Sequence, residues 1–479
     1  MFQASLYVNT LKAIENYFAC SSDRMPVTGC LNPVDLAQAI DVSLPIEGES
    51  LETLHQHVSA YLQSAVKTAH PGYFNQLWGG FQPASFMGEM LATAANTSMY
   101  TLEVAPVATA IERTLIAKFG QLVGFESPDG QFTTGGSNGN LMAMAIALHR
   151  AFPNAKVQGC GNHPSAVAFV SEDAHYSFAK AAHLLGIGTQ HLWKIPVDRC
   201  GSMNVRELER SIEQATDRGF HPFFVAATAG TTVRGAYDPL SDIASVTSAH
   251  GIWLHVDGAW GASVLLSRTH NPLMAGVEAA DSVVWDAHKM MGMPLTCSVL
   301  LVKHRGSMLD TFATDGTGYI FHGDRFHEGS DDLEDLGPSS MHCGRRADAL
   351  KLWLAWKHLG DRGWERQIDR YFHLAAYAEL LVQEHPQLQL VAPRQSLNLC
   401  FQYCPQTELD PSTLVPQIRQ ILLEEGTAMV NYARLGDRVA FRLVICNNQT
   451  TEADIAHLLD EIVAIGRRLE SKLKAPAAG

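Results

Sequence analysis

The chain has 479 residues, of which 46% are hydrophobic and 18% charged, and its charge sums to 35 − 49 = −14. This is the make-up of an ordinary globular protein with two or three subdomains sharing a large core, and it excludes the basic footprint of a nucleic-acid binder. The nine scattered cysteines have no histidine at zinc-like spacing, the N-terminus has no apolar signal core, and no stretch is apolar enough to span a bilayer. The expectation is a cytoplasmic protein with reduced thiols, no metal and no membrane contact.

In chain order, residues 1 to about 70 mix polar and apolar positions in helical patterns broken by Pro26, Pro33 and Pro45. They read as an N-terminal arm of the kind that packs on a second subunit. Pro106 to Val123 predicts an amphipathic helix stopped by Gly124. The turn Gly135-Gly136-Ser137-Asn138-Gly139 opens a helix through Arg150. Strands are predicted at Ala166–Val170, Phe223–Ala227, Ile252–Val256, Ser282–Trp285 and Ser298–Val302, with helices such as Val205–Arg218 and Leu240–Ala249 between them. Apolar strands alternating with helices predict an α/β fold with a mostly parallel sheet covered on both faces. Beyond residue 346, helices Asp348–Leu359 and Trp364–Glu384 precede strands Leu397–Tyr403 and Val439–Cys446, with helices Leu414–Glu425 and Glu452–Glu470. Gly436-Asp437 predicts a hairpin turn, and Thr451 with Asp454 a capping box. The resulting division is an arm over 1–90, a large domain over 91–345 and a small α+β domain over 346–479, with a disordered tail from Lys474 to Gly479.

The chemistry gathers at strand ends. Lys289 follows Trp285-Asp286-Ala287-His288 after a strand, where a lysine amine can form an imine with an aldehyde cofactor. Asp257 ends the buried run from Ile252, and a carboxylate there can keep a pyridine nitrogen protonated. Together they point to pyridoxal 5'-phosphate. Gly136 and Ser137, at a helix start, can cradle its phosphate. His175 can stack on the ring, and Thr228 and His255 can support Asp257. Arg442, inside an apolar strand, needs a partner, and its fork suits a substrate carboxylate. Each also has a plainer reading, as a solvated lysine, a turn-capping aspartate, a glycine turn, a loop histidine or a surface arginine.

The ordered motifs His70-Pro71-Gly72-Tyr73-Phe74-Asn75-Gln76-Leu77, Asn96-Thr97-Ser98-Met99-Tyr100-Thr101, Gly135-Gly136, Ala229-Gly230-Thr231-Thr232, His255-Val256-Asp257-Gly258-Ala259-Trp260-Gly261, His288-Lys289 and Cys343-Gly344-Arg345-Arg346 resemble the group II pyridoxal-phosphate-dependent amino-acid decarboxylases. The branch is that of the glutamate and cysteine sulfinate/acidic amino-acid enzymes. The resemblance runs from about His70 to the C-terminus. It implies the aspartate-aminotransferase-like fold, type I, with a mostly parallel seven-stranded sheet and a small C-terminal α+β domain, in a homodimer with active sites at the interface. By position it implies Lys289 as the cofactor lysine, Asp257 on the ring nitrogen, His175 and Ala259 on the two ring faces, and Gly136 and Ser137 on the phosphate. It places His288 beside the lysine, Tyr319 on a mobile loop as the proton donor, and Gln76 and Arg442 on a substrate carboxylate. The implied mechanism runs through an external aldimine and a quinonoid.

Two features depart from the family. Its usual Asn-Pro-His-Lys is Asp286-Ala287-His288-Lys289 here, and an aspartate near a phosphate repels it unless it points away, so Asp286 receives no phosphate role. The segment Glu328–Met341, with Asp331, Asp332, Glu334 and Asp335, also differs, which bears on loop motion. Ser98 and Tyr100 resemble the cysteine sulfinate and aspartate enzymes, where glutamate enzymes carry asparagine and phenylalanine. Trp78 stands where glutamate enzymes have serine and sulfinate enzymes phenylalanine, and a bulkier wall implies a shorter substrate. The expected reaction is decarboxylation of L-aspartate to β-alanine or of L-cysteine sulfinate to hypotaurine. The alternatives are glutamate to GABA and, behind it, 2,4-diaminobutyrate or aromatic amino acids.

Overall fold

The computed structural model describes residues 4–19, 25–29, 32–159, 165–321 and 335–474. The expectations for the tail beyond Lys474 and for residues 328–334 of the acidic segment fall outside the described residues. Its strands, in chain order, are β1 (Tyr73–Phe74), β2 (Asp129–Thr133), β3 (Ala166–Ser171), β4 (Leu192–Ile195), β5 (His221–Thr228), β6 (Trp253–Asp257), β7 (Ser282–Asp286), β8 (Ser298–Val302), β9 (Leu388–Leu390), β10 (Asn398–Tyr403), β11 (Met429–Leu435) and β12 (Arg438–Val444).

The chain divides into two compact units. One is built from Gln82–Phe372 and Arg394–Ser396. Its sheet has the order β2-β8-β7-β6-β5-β3-β4. Only β8 runs against its neighbours, so the seven-stranded sheet is mostly parallel, as the alternation of strands and helices predicts. Every residue of β6, β7 and β8 is buried, because helices cover both faces of a parallel sheet and leave no polar side. Parallel strands also bring their C-terminal ends to one edge, where Thr228 of β5 lies in register with Asp257 of β6.

Two local features position the site. Helix Pro106–Val123 starts on proline and stops at Gly124, whose φ of 90° suits a left-handed cap, as predicted. Helix Gly136–Ala151 packs directly over β7 at Gly139, where a Cβ would fall 2.6 Å from Val284 Cγ2. Glycine there lets the helix N-terminus approach the end of β7.

The other unit is built from Met1–Phe81, His373–Pro393 and Leu397–Gly479. Its sheet runs β1-β11-β12-β10-β9, antiparallel except for the β1–β11 pair. The Gly436-Asp437 turn joins β11 to β12, with Leu435 opposite Arg438. Helix Pro411–Glu425 buries Leu414, Val415, Ile418 and Leu422. The capping box forms as predicted: Thr451 N–H donates to Asp454 Oδ2 (2.7 Å) and Asp454 N–H to Thr451 Oγ1 (3.4 Å). Among the described residues no helix is long and apolar enough to cross a membrane.

Candidate active site

Strand β7 ends at Asp286, and the chain turns at once, with Lys289 N–H donating to Asp286 O (3.0 Å). Met290 and Met291 are fully buried and fix this turn. The Lys289 side chain, 22% exposed, is held at the sheet edge. Its Nζ lies 3.1 Å from Asp286 Oδ2, and His288 Nε2 lies 3.6 Å from the same oxygen. Sequence alone leaves Asp286 without a role; the structure turns its carboxylate inward, 1% exposed, onto the lysine. Burial pushes this carboxyl upward, but Lys289, His288 and the Ser298 hydroxyl outweigh it, and the group is held below the usual carboxylate range. Burial lowers the pKa of His288, against the opposing pull of Asp286. His288 Nδ1 lies 3.0 Å from Cys297 O and 3.1 Å from Cys297 N, which anchors the ring with its Nε2 facing Asp286.

Asp257 is 5% exposed and ends β6. Its Oδ1 accepts from Ala259 N–H (3.1 Å) and its Oδ2 from Asn140 Nδ2 (2.9 Å). Asn140 Nδ2 also donates to Ser177 Oγ (2.9 Å), while Asn140 Oδ1 lies 2.9 Å from His255 Nε2. His255 Nδ1 lies 2.9 Å from Ser282 Oγ, which accepts from Trp253 Nε1 (2.8 Å). The direction of this chain follows from its ends: an indole N–H only donates and a carboxylate only accepts. Hence the Ser282 hydroxyl donates to Nδ1, and Nε2 carries the proton given to Asn140. His255 is fully buried, and burial pushes it down to about 4, so it is neutral, as that chain requires.

The remaining cofactor candidates meet here too. A Cβ on Gly136 would fall 2.8 Å from Asp286 Oδ2 and 3.2 Å from Ala259 Cβ, so the glycine turn, Ala259 and Asp286 share one space. Ser137 is exposed at the same helix start. His175 is half-buried and its Nδ1 accepts from Ser177 N–H (3.3 Å). Burial lowers its pKa against the pull of Asp257, with Lys289 and Asp286 also within electrostatic reach. Thr228 is fixed by its N–H, which donates to Asp238 Oδ2 (2.7 Å).

Ser177 and Ser282 are site residues that the sequence does not announce, and Asn140, which closes the glycine-rich run that can cradle a phosphate, instead bonds Asp257 and His255. The available signal is Asn140 standing directly before the apolar run from Leu141 to Leu148. The other candidates make local contacts of their own. Tyr319 is 76% exposed, in the turn where Ile320 and Phe321 N–H groups donate to Thr317 O. Ser98 Oγ accepts from Arg345 N–H (3.3 Å), and Tyr100 O from Gly337 N–H (2.9 Å). In the other unit, Gln76 is exposed, and Trp78 packs on Tyr73 at 5.7 Å between ring centroids. Arg442 is not on a solvent face: it is 7% exposed and donates to Asn75 O (2.7 Å), beside Gln76.

Comparison with known proteins agrees with this geometry. Residues 33–404 match the pyridoxal-dependent decarboxylase conserved domain. Human cysteine sulfinic acid decarboxylase is 39% identical over 448 residues, 91% of this chain and 90% of that one. Mouse acidic amino acid decarboxylase GADL1 is 38% identical, over 91% of this chain and 80% of that one. The crystal structure of mouse CSAD superposes with a TM-score of 0.92 at 36% identity, covering 96% of this chain and 98% of that one. With a lysine on the strand-end turn, a carboxylate held at the neighbouring strand end and a glycine-led helix N-terminus between them, the chain belongs to the pyridoxal-dependent decarboxylase family.

Proposed function

We propose that this chain, as a cytoplasmic homodimer, decarboxylates a short acidic L-amino acid: L-aspartate to β-alanine or L-cysteine sulfinate to hypotaurine. The observation that carries the reading is the single sheet edge that holds both Lys289 and the buried, hydrogen-bonded Asp257. The residues fit pyridoxal phosphate. The space beside Gly136 is one a Cβ would fill, and Thr228 Oγ1, in register with Asp257, is buried with no hydrogen-bond partner among the described residues.

When bound, pyridoxal phosphate supplies an electron-accepting ring that takes the electron pair released as the α-carboxylate leaves as carbon dioxide. Lys289 Nζ is the amine that anchors it, with His288 beside that lysine. Asp257, hydrogen-bonded by Asn140 and the Ala259 N–H, would hold a proton at the ring nitrogen. His175 and Ala259 would cover the two ring faces, Thr228 would offer its hydroxyl, and Gly136 and Ser137 at the helix start would take the phosphate. Tyr319 would deliver a proton to the α-carbon.

Gln76 and Arg442 take the substrate's side-chain carboxylate or sulfinate, and Trp78, Ser98 and Tyr100 limit its length. Relatives named for cysteine sulfinic acid and for acidic amino acids support an acidic substrate. Exposed Val42, Leu44 and Ile46, at 80%, 94% and 104%, support a dimer that covers the N-terminal segment. Glutamate, giving GABA, is the second reading, favoured by nothing at Trp78. Trp78→Ser tests the choice: kcat/KM for glutamate relative to aspartate rises, and an unchanged ratio overturns the short-pocket reading. Lys289→Ala loses the yellow absorbance of bound cofactor, and a retained, borohydride-reducible colour would overturn the anchoring role.

A further inference from the structure

Asp286 lies at this sheet edge with no part in the proposed reaction, and it stands where the motif of the family it resembles has a neutral asparagine. Its Oδ2 would lie 2.8 Å, and its Oδ1 3.2 Å, from a Cβ on Gly136, so the carboxylate sits against the first turn of helix Gly136–Ala151. That turn opens without a side-chain cap, carries the positive end of the helix dipole, and has no acidic residue of its own. Asp286 therefore supplies an anion where the proposed reading puts the cofactor's phosphate. The same carboxylate pairs with Lys289 Nζ at 3.1 Å and faces the Nε2 of His288 at 3.6 Å. It is buried, and its two basic neighbours keep it ionised.

We propose that Asp286 is a positioning residue acting as a resident counter-anion: it holds the Lys289 end of the pocket assembled without cofactor and opposes the phosphate of the incoming one. The chain thereby binds the phosphorylated cofactor more weakly than the same pocket with a neutral side chain would. This rests on the reading of Lys289 and the Gly136 turn as the cofactor site. A like charge a few ångströms away in a site of low polarity changes an affinity by about tenfold or more.

The test compares cofactor-free wild type, Asp286→Asn and Asp286→Ser, each titrated with pyridoxal phosphate and with pyridoxal, which lacks the phosphate. Binding is followed by cofactor absorbance. Both variants should favour pyridoxal phosphate over pyridoxal by about tenfold more than wild type does, and their cofactor-free forms should melt at lower temperature. A preference ratio that is unchanged or reduced overturns the proposal, because a purely structural role would shift both ligands alike. Failure of both variants to fold even with pyridoxal phosphate also overturns it, since removing a repulsion cannot abolish the loaded form. Wild type that binds neither ligand would instead strike the cofactor-site reading itself.

Discussion

Asn140→Leu is the sharpest structural test of how the site is held. The substitution keeps the side chain's shape and removes its amide. Asp257 Oδ2, 2.9 Å away, loses its side-chain donor, and His255 Nε2–H, also at 2.9 Å, loses its acceptor. The Ser177 hydroxyl loses a third contact. All three partners are buried, so water does not replace what is lost. A hydrogen bond to a charged group contributes about 2 kcal/mol and each neutral one about 1, which makes the expected loss about 4 kcal/mol. Urea unfolding of the cofactor-free protein, followed by fluorescence and circular dichroism, measures it. A further variant checks that the chain is one network: Asn140→Leu combined with His255→Leu should cost much less than the sum of the two alone. A loss below about 1 kcal/mol, or strict additivity, would refute the network.

Three further predictions follow from the same geometry. Because burial holds His255 at about 4 against an ordinary 6.5, the unfolded chain binds the extra proton between those values. Stability therefore falls as pH drops from about 6.5 to about 4, by about 3 kcal/mol from this group. Asp238, pushed up to about 7 by burial, acts in the opposite sense, its contribution being lost as pH rises through that value. The wild-type pH profile minus that of His255→Leu isolates the histidine, and a flat difference would count against its burial as a neutral ring. Glu112→Leu leaves the Arg345 guanidinium, paired at 2.9 Å and 4% exposed, without its carboxylate, so a loss of about 4 kcal/mol is expected in the same unfolding assay. Gly139→Ala puts a methyl against Val284 and should weaken both stability and cofactor retention, read by melting temperature and absorbance.

Much of this was legible in local sequence. The apolar runs of β6 and β7, each closed by an aspartate, announced buried strands with polar ends. Gly124 and the Thr451–Asp454 pair marked helix ends, and the break expected between the two long C-terminal helices is Gly360, at φ 62° inside Ala349–Glu384. What stayed hidden depends on partners far along the chain. β2 opens with Asp-Gly and has too few apolar residues to read as a strand; pairing with β8 makes it one. β4 is four residues at a sheet edge, and β11 alternates with Tyr432 and Arg434 exposed and a polar Asn431 before them, a pattern that hides a strand. Asn140 reads as part of a glycine turn until His255, 115 residues away, is brought to its oxygen. Asp286 reads as a misfit until Gly136 and Lys289 close on it from two directions.

The central claim is tested most directly by giving the cofactor-loaded enzyme L-aspartate, L-cysteine sulfinate, L-glutamate and L-2,4-diaminobutyrate at equal concentration and measuring carbon dioxide and amine together. The account predicts equimolar carbon dioxide and amine, with aspartate or cysteine sulfinate turned over well above glutamate. Preferred turnover of glutamate or diaminobutyrate would contradict the short acidic pocket, and a keto product without carbon dioxide would contradict decarboxylation itself.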